Sequence, residues 1–282
     1  MTVIVVYALR EALRRKVFLV VLLLTALFLG LYGLANYYVF RDVASITVPS
    51  DIPVDKRTFA GAFILGLAAF ATFFLGVVLA VFLTVGVVSG DAERGLLQPL
   101  VVRPLGRSTL LVARFVAAAL VCAFYVVLVY SGAMVTTGLV GHWWPHLLLT
   151  PAVTLAAAVG LVAAVSLLGS IFLSATANGI GVFMVFGAGL VSGLLGTVGH
   201  ALDSHAISHA ARIAAWVLPF EGLYEDSLRQ ITSHTSGLTG FLLQLGPFGG
   251  AYTGGWAIRG WAVAYLAAVG CAALVAFARR DL

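Results

Sequence analysis

Residues 58–90 read TFAGAFILGLAAFATFFLGVVLAVFLTVGVVSG and contain no charged side chain. An α-helix rises about 1.5 Å per residue, so roughly 20 apolar residues cross the hydrocarbon core of a bilayer. Because lipid offers no hydrogen-bond partner, the backbone N–H and C=O groups of such a stretch must bond to each other within a helix. The stretch therefore predicts a transmembrane helix and an all-α membrane fold.

The rest of the chain has a similar composition. Of its 282 residues, 62% are hydrophobic and 10% are charged, and the mean hydropathy is +1.09, whereas soluble domains carry about 25% charged residues. Helix length then predicts a single membrane domain over residues 1–282 with six transmembrane helices. Their approximate ranges are Val17–Ala35, Phe59–Val88, Arg114–Val140, Pro151–Leu173, Ala177–Val198 and Trp261–Ala278.

The N-terminal segment, residues 1–16, ends in the basic stretch YALREALRRK. Leu9, Ala12 and Leu13 are spaced i, i+3 and i+4, which puts them on one face of a helix and the charged residues on the others. This pattern predicts an amphipathic helix at the membrane interface, and a basic start that only orients the first span is the alternative. A cleaved signal is disfavoured, because the apolar run is too long and no small-residue cleavage pattern follows it.

The distribution of basic residues predicts the orientation, because cytoplasmic loops carry an excess of lysine and arginine. With both termini cytoplasmic, ten of the 16 basic residues lie on the inner side and six on the outer side. Most of the acidic residues and all six histidines then lie outside. The net charge of +5 is thus a topology signal, and we expect no nucleic-acid partner.

The segment SGDAERGLLQPLVVRPLGR, residues 89–107, is the substantial cytoplasmic loop of this topology. It lacks the G-x-x-x-x-G-K-[ST] pattern of a phosphate-binding loop. A plain polar turn between adjacent spans needs only a few residues, whereas this segment mixes acidic, basic and leucine side chains over about 19 positions. We therefore interpret it as a surface that contacts another protein.

At this segment the sequence resembles the permease subunits of type-2 ABC exporters. Their second and third spans are joined by acid-x-acid-x-G-[ST]-L, an apolar stretch and [ST]-R-P-[ILV]-[SG]-R; Leu96 and Pro99 depart from that pattern. The terminal FARRDL, the six spans and the inner termini are also similar, so the resemblance covers the whole chain. It implies that residues 89–107 are a coupling element for an ATPase, with partner contacts at Asp91, Glu93, Arg94, Gly95, Leu97, Arg103, Pro104 and Arg107.

The resemblance implies a transporter subunit that is not itself an enzyme and holds no cofactor. Two copies of a separate ABC ATP-binding subunit would carry ATP and Mg, and a second permease copy would complete a homodimer in contact with membrane lipid. We expect a multi-pass protein of the plasma membrane, in a bacterium the inner membrane. The alternatives are an intramembrane lipid-modifying enzyme, disfavoured because H-E-x-x-H and G-x-S-x-G are missing, and a non-ABC carrier or scaffold.

Within the exporters, ALREALRRKVFLVVLLLTALFLGLYGL resembles permeases grouped with the nitrous-oxide-reductase maturation system, named for the assembly of a copper enzyme. The weak candidate metal ligands are His200, His205 and His209, the last two spaced i and i+4 on one helix face. Methionine, the soft ligand expected for monovalent copper, occurs only three times. We therefore favour a solvated, acidic outer loop without a metal.

That outer loop spans residues 199–260, and Pro219 divides its apolar part from its polar part. We predict two short helices at the membrane surface, with Trp216, Phe220 and Tyr224 at the interface as a cap over the pathway. The spans lack the ionisable side chains that ion and proton pathways require. This favours a lipid-like or amphipathic cargo, or a permease that only transmits force across the membrane.

Overall fold

The computed structural model describes residues 16–45, 55–85, 107–232 and 255–279. These ranges are helical apart from short connections and contain no strand. Six of the helices are long and apolar enough to cross a membrane, which confirms the predicted all-α class with six spans. In chain order the helices are α1 (Lys16–Ser45), α2 (Lys56–Thr84), α3 (Arg107–Gly141), α4 (Thr150–Phe172), α5 (Ala175–Ala201), α6 (His205–Val217), α7 (Pro219–Thr232) and α8 (Gly255–Arg279).

The six long helices run alternately up and down, so the bundle has two ends. One end holds the start of α3 and the last turns of α4 and α8; we call it the Arg107 end. The other holds the start of α2, where Asp55 caps the helix by accepting hydrogen bonds from the backbone N–H groups of Arg57 and Thr58; we call it the Asp55 end. Both short helices, α6 and α7, follow α5 at the Asp55 end.

Helices α2 and α4 form the centre of the bundle. Helix α2 packs against α1, α3 and α4, and α4 in turn packs against α3, α5, α7 and α8. Small residues allow this close approach: a methyl group added at Gly76 would lie 2.9 Å from Val126 and 3.0 Å from Val159. Close packing of small residues is a main source of helix association in lipid, where apolar burial from water no longer drives it.

The outer helices α1, α5 and α8 are far less buried than the central pair. Large apolar side chains on them, such as Leu23, Met184 and Val263, are about two thirds exposed in the single chain. In a multi-pass protein such faces meet lipid tails or another apolar subunit.

Hydrogen bonds between side chains connect the spans in pairs. Thr25 on α1 bonds to Tyr125 on α3 at 2.5 Å, and Tyr32 bonds to Thr137 at the same distance. Near the Arg107 end, Ser166 of α4 is the shared partner of Thr84, which donates to its hydroxyl at 2.8 Å, and of Asn178, which donates to its carbonyl at 2.8 Å. Bonds of this kind contribute about 0.6 kcal/mol each in membrane proteins.

The short helices form a hairpin whose two halves have different surroundings. Helix α6 is largely exposed, whereas α7 is buried on all sides because it packs against α4 and α8 and also touches α2, α5 and α6. Trp216 is 36% exposed, but Phe220 and Tyr224 are only 3% and 5% exposed. The expectation that these two rings lie at an interface is therefore wrong; they belong to the core, because α7 inserts between the spans.

Candidate functional site

The predicted coupling element falls almost entirely outside the described residues. Arg107 is the first residue of α3, and nothing is described of its side chain. The remaining residues of this prediction, which stays untested by the structure, are Asp91, Glu93, Arg94, Gly95, Leu97, Arg103 and Pro104.

The histidines of the outer segment lie at the α5–α6 connection. His200 is in the last turn of α5, with an undescribed side chain, whereas His205 and His209 lie on exposed positions of α6. Among the side chains that the structure describes, no three His, Cys, Asp or Glu residues lie close enough together to hold a metal ion. His205 and His209 are therefore not part of an assembled ligand set among the described side chains.

A different group of residues is brought together by α7. Glu221, Glu225 and Asp226 are 2%, 5% and 7% exposed. The sequence reading that placed them in a solvated loop is therefore wrong. Glutamates four residues apart lie on one face of a helix, and this face points into the bundle.

Two glycines of α5 make room for that face. A methyl group at Gly189 would lie 2.6 Å from the ring of Phe220. One turn later, a methyl group at Gly193 would collide with Oε1 of Glu221 and lie 3.2 Å from Oε1 of Glu225. Both carboxyl groups therefore converge on the space left by the missing side chain of Gly193.

Asp226 forms an ion pair with a neighbouring helix. Arg259 of α8 donates from Nε to its Oδ2 at 2.8 Å. Gln230 donates from Nε2 to the same oxygen at 3.0 Å, and the same nitrogen lies 3.1 Å from the hydroxyl of Thr154 on α4. This set of bonds fixes α7 to both α4 and α8.

Glu221 has a different environment. Its Oε2 is buried and has no hydrogen-bond partner among the described residues. Burial raises the pKa of this carboxyl group well above its usual range, and the nearby charge of Glu225 raises the pKa further. Burial also lowers the pKa of Arg229, although Glu225 and Asp226 act in the opposite direction. The carboxyl group of Glu221, which is buried and close to another acidic group, therefore favours its neutral, protonated form.

Aromatic rings line the adjacent part of the core. Tyr224 stacks on Phe73 of α2, with ring centroids 4.9 Å apart and planes 8° from parallel. Phe73 also meets Phe186 of α5 edge-on at 5.3 Å, and Phe186 lies 6.1 Å from Phe220. The rings thus form one aromatic cluster between α2, α5 and α7, and α7 also carries Glu221 and Glu225.

The burial of α7 could have been predicted from the spacing of its apolar residues, although not from its composition. Apolar residues of α7 recur at Phe220, Leu223, Tyr224, Leu228 and Ile231, a helical stripe that must be buried. The glutamates flank that stripe, so burying it also draws them inward.

The sequence of this helical chain matches a known protein family. The family model described as ABC-2 family transporter protein matches residues 3–282. The chain belongs to this ABC-2 family. A comparison with curated proteins found no match.

Family membership shows that this ABC-2 protein is a membrane component of an ABC transporter and a multi-pass membrane protein. Membership also implies an ATP-binding partner subunit. The resemblance to type-2 ABC permeases is thus confirmed for the family as a whole. The nitrous-oxide-reductase subgroup is a finer assignment that the match does not confirm.

Proposed function

We propose that this ABC-2 protein is the permease of an exporter that forms a homodimer and is driven by two copies of a separate ATP-hydrolysing subunit. The observation that carries the proposal is the family match over residues 3–282 together with the six spans. The termini lie in the cytoplasm in this proposal, so the Arg107 end faces the ATPase.

The charged segment at residues 89–107 is the contact with the ATPase in this proposal. The charges of Asp91, Glu93 and Arg94 would set the register of the contact, and the leucines would supply its apolar part. The segment joins α2 to α3, and α2 is a central helix of the bundle. Movement of the segment would therefore be transmitted directly to the core.

An amphipathic cargo fits the described interior better than a small ion. The long spans carry few ionisable groups between their ends, and their buried polar atoms are mostly hydroxyls bonded to backbone carbonyls or to each other. Polar and ionisable residues inside membranes mark ion paths. The exception is α7, which is not one of the long spans and carries the buried acidic residues Glu221, Glu225 and Asp226.

The proposal is tested by charge reversal in the coupling segment. Glu93→Lys should leave the permease folded and inserted but reduce ATPase co-purification or transport-coupled hydrolysis at least tenfold, because it replaces an interface charge with its opposite. Asp42→Lys is the matched control: it makes the same charge change at an exposed site of α1 near the Asp55 end. Full coupled activity in the Glu93→Lys protein would show that this residue does not contact the ATPase.

A further inference from the structure

A groove lies between the last turns of α4 and α8, at the Arg107 end of the bundle. Its volume is about 580 Å³, which falls within the range of about 300–1,000 Å³ that is usual for ligand sites. We call it the α4–α8 groove. Its lining is apolar except for one arginine and consists of Ile171, Phe172, Ala272, Val275, Ala276 and Arg279.

The groove exists because α8 presents small side chains on the face that borders it. Ala272, Val275, Ala276 and Arg279 are spaced i, i+3, i+4 and i+7, so they lie on one face of the helix. The two alanines leave a depression, and Phe172 of α4 stands beside it. An apolar trough on α8 thus leads to the guanidinium group of Arg279.

The floor of the groove is packed, whereas its rim is open. Ile171 is 1% exposed and belongs to a buried cluster that also contains Phe277 of α8 and Leu111 of α3. At the rim, Phe172 is 66% exposed and Val275 is 51% exposed. Since α8 is an outer helix, the groove opens toward the surroundings of the bundle, which are lipid or another subunit.

The lengths of the two helices place the groove at a definite depth. Helix α4 has 23 residues and α8 has 25, so they are about 35 and 38 Å long, compared with about 30 Å for the hydrocarbon core of a bilayer. Phe172, at the end of α4, therefore lies near the edge of the hydrocarbon. Arg279, at the end of α8, lies among the headgroups, and Ala272 lies about 10 Å deeper.

This order of groups is complementary to a phospholipid, which has a phosphate at headgroup depth and apolar chains below it. Arginine is always charged, and its planar fork of N–H donors matches a phosphate group. A second permease copy would suit the groove less well, because close helix packing at its rim would take the charge of Arg279 out of water.

We propose that the α4–α8 groove is a binding site for an anionic phospholipid of the leaflet at the Arg107 end. Arg279 donates hydrogen bonds to the phosphate, and one acyl chain lies along Ala272 and Ala276 beside Phe172. Basic pockets between transmembrane helices on the cytoplasmic side bind acidic headgroups, and the Arg107 end is the cytoplasmic side in the proposed orientation. The bound lipid adds contacts between α8, an outer helix, and α4 at the centre of the bundle.

The test compares two lipids with identical acyl chains, phosphatidylglycerol and phosphatidylcholine. Native mass spectrometry of the purified full-length protein in detergent measures how tightly each one binds. We expect one phosphatidylglycerol per chain to bind about fivefold more tightly than phosphatidylcholine, because one arginine near a membrane surface contributes about 1 kcal/mol to the attraction of an anionic lipid. Glycerol 3-phosphate at the same concentration should not compete, because it has no chain to fill the groove.

The charge is tested at Arg279. Arg279→Gln should bind phosphatidylglycerol no more tightly than phosphatidylcholine, whereas Arg279→Lys keeps the charge and should keep the preference. The matched control is Arg41→Gln, which removes a positive charge from an exposed position at the Asp55 end of α1 and should behave like the unmodified protein.

The groove itself is tested at Ala272, an exposed residue of its lining. Ala272→Trp fills the trough and should weaken the binding of both lipids about tenfold, a loss of about 1.4 kcal/mol. Val263→Trp is the matched control, because Val263 is on the same helix, is 70% exposed and lies outside the groove lining. Size-exclusion profiles and melting temperatures show that each variant is folded.

An unchanged lipid preference in the folded Arg279→Gln protein, or unchanged lipid binding in the folded Ala272→Trp protein, would overturn the site. If Ala272→Trp instead converts a dimer to a monomer and still binds both lipids, the groove is occupied by a second copy and the proposal is wrong. These measurements require no ATPase, so their failure leaves the proposed function untouched. Likewise, full coupled activity of Glu93→Lys would leave the lipid site untouched.

Discussion

Glu221 makes the stability of the protein depend on pH. In the unfolded chain a glutamate has a pKa of about 4.3, whereas burial raises the pKa of Glu221 in the folded protein. Between these two values the folded state binds more protons, so stability falls as pH rises; below the unfolded pKa the group has no effect, and above the folded pKa the loss is complete.

We therefore expect the melting temperature of the protein in detergent to fall more steeply from pH 5 to pH 9 than that of Glu221→Gln. The glutamine variant lacks the titrating group, so the difference between the two curves isolates Glu221. Each unit of pKa difference corresponds to about 1.4 kcal/mol. Parallel curves would show that the carboxyl group is solvated and that the packing of α7 described above is wrong.

Gly189 provides a second prediction at the level of single residues. Alanine at this position would push the ring of Phe220, which is buried and surrounded by other rings, so Gly189→Ala should destabilise the protein by about 1–3 kcal/mol. Gly187→Ala is the control on the same helix, because nothing lies within 4 Å of the added methyl group. It should be neutral or slightly stabilising. Similar melting temperatures for the two variants would contradict the close contact between α5 and α7.

The apolar run of residues 58–90 predicted a membrane span, but it did not predict which of its residues are buried. Phe73 is fully buried, whereas Phe74, its neighbour in the same run, is 43% exposed. Glu221 could not be placed from the sequence either, because its burial depends on a glycine on α5 and on α8, distant in sequence. The local sequence shows that residue 221 carries an acidic side chain, but contacts with residues distant in sequence decide whether that side chain is exposed to water.

At the scale of helices, α7 is held by an ion pair whose two members differ in exposure. The side chain of Arg259 is 30% exposed and that of Asp226 is 9% exposed. Removing the arginine leaves a buried carboxylate without its cation, and breaking a buried pair in this way costs about 3–5 kcal/mol. Removing the carboxylate leaves an arginine that reaches water.

We therefore expect Arg259→Met to destabilise the protein by about 3 kcal/mol, at the low end of that range because the arginine is partly exposed. Asp226→Asn should cost less, and the double variant should recover most of the loss of Arg259→Met. The free energies of unfolding of the unmodified protein and of the three variants, measured in detergent, give the coupling energy between the two residues. Additive losses would show that the two residues act independently.

Helix boundaries were less predictable than helix existence. The apolar run predicted a second span from Phe59, but α2 begins at Lys56 because Asp55 caps it. The third span was predicted from Arg114, whereas α3 begins at Arg107. Hydropathy measures the length in contact with hydrocarbon, and a helix continues past it wherever backbone bonding and capping allow.

At the scale of the whole molecule, the proposed orientation predicts which loops meet each side of the membrane. After replacement of Cys122 and Cys271, single cysteines at Ser50 and Ser236 should react with an impermeant thiol reagent added outside intact cells. A cysteine at Ser108 should react only after the membrane is opened. The reverse pattern would place the termini outside and would contradict the positive-inside assignment.

The low burial of α1 and α8 has a mechanical consequence. Lipid tails are as apolar as leucine, so sliding an outer helix along the bundle exchanges one apolar contact for another at little cost in free energy. The barrier to such sliding then resides in a few directional bonds. For α1 these are Thr25 to Tyr125 and Tyr32 to Thr137; for α8 they are Arg259 to Asp226 and Trp261 to the carbonyl of Trp216. We therefore expect the resistance of the bundle to sliding of its outer helices to depend more on the number of these bonds than on the area buried in its core.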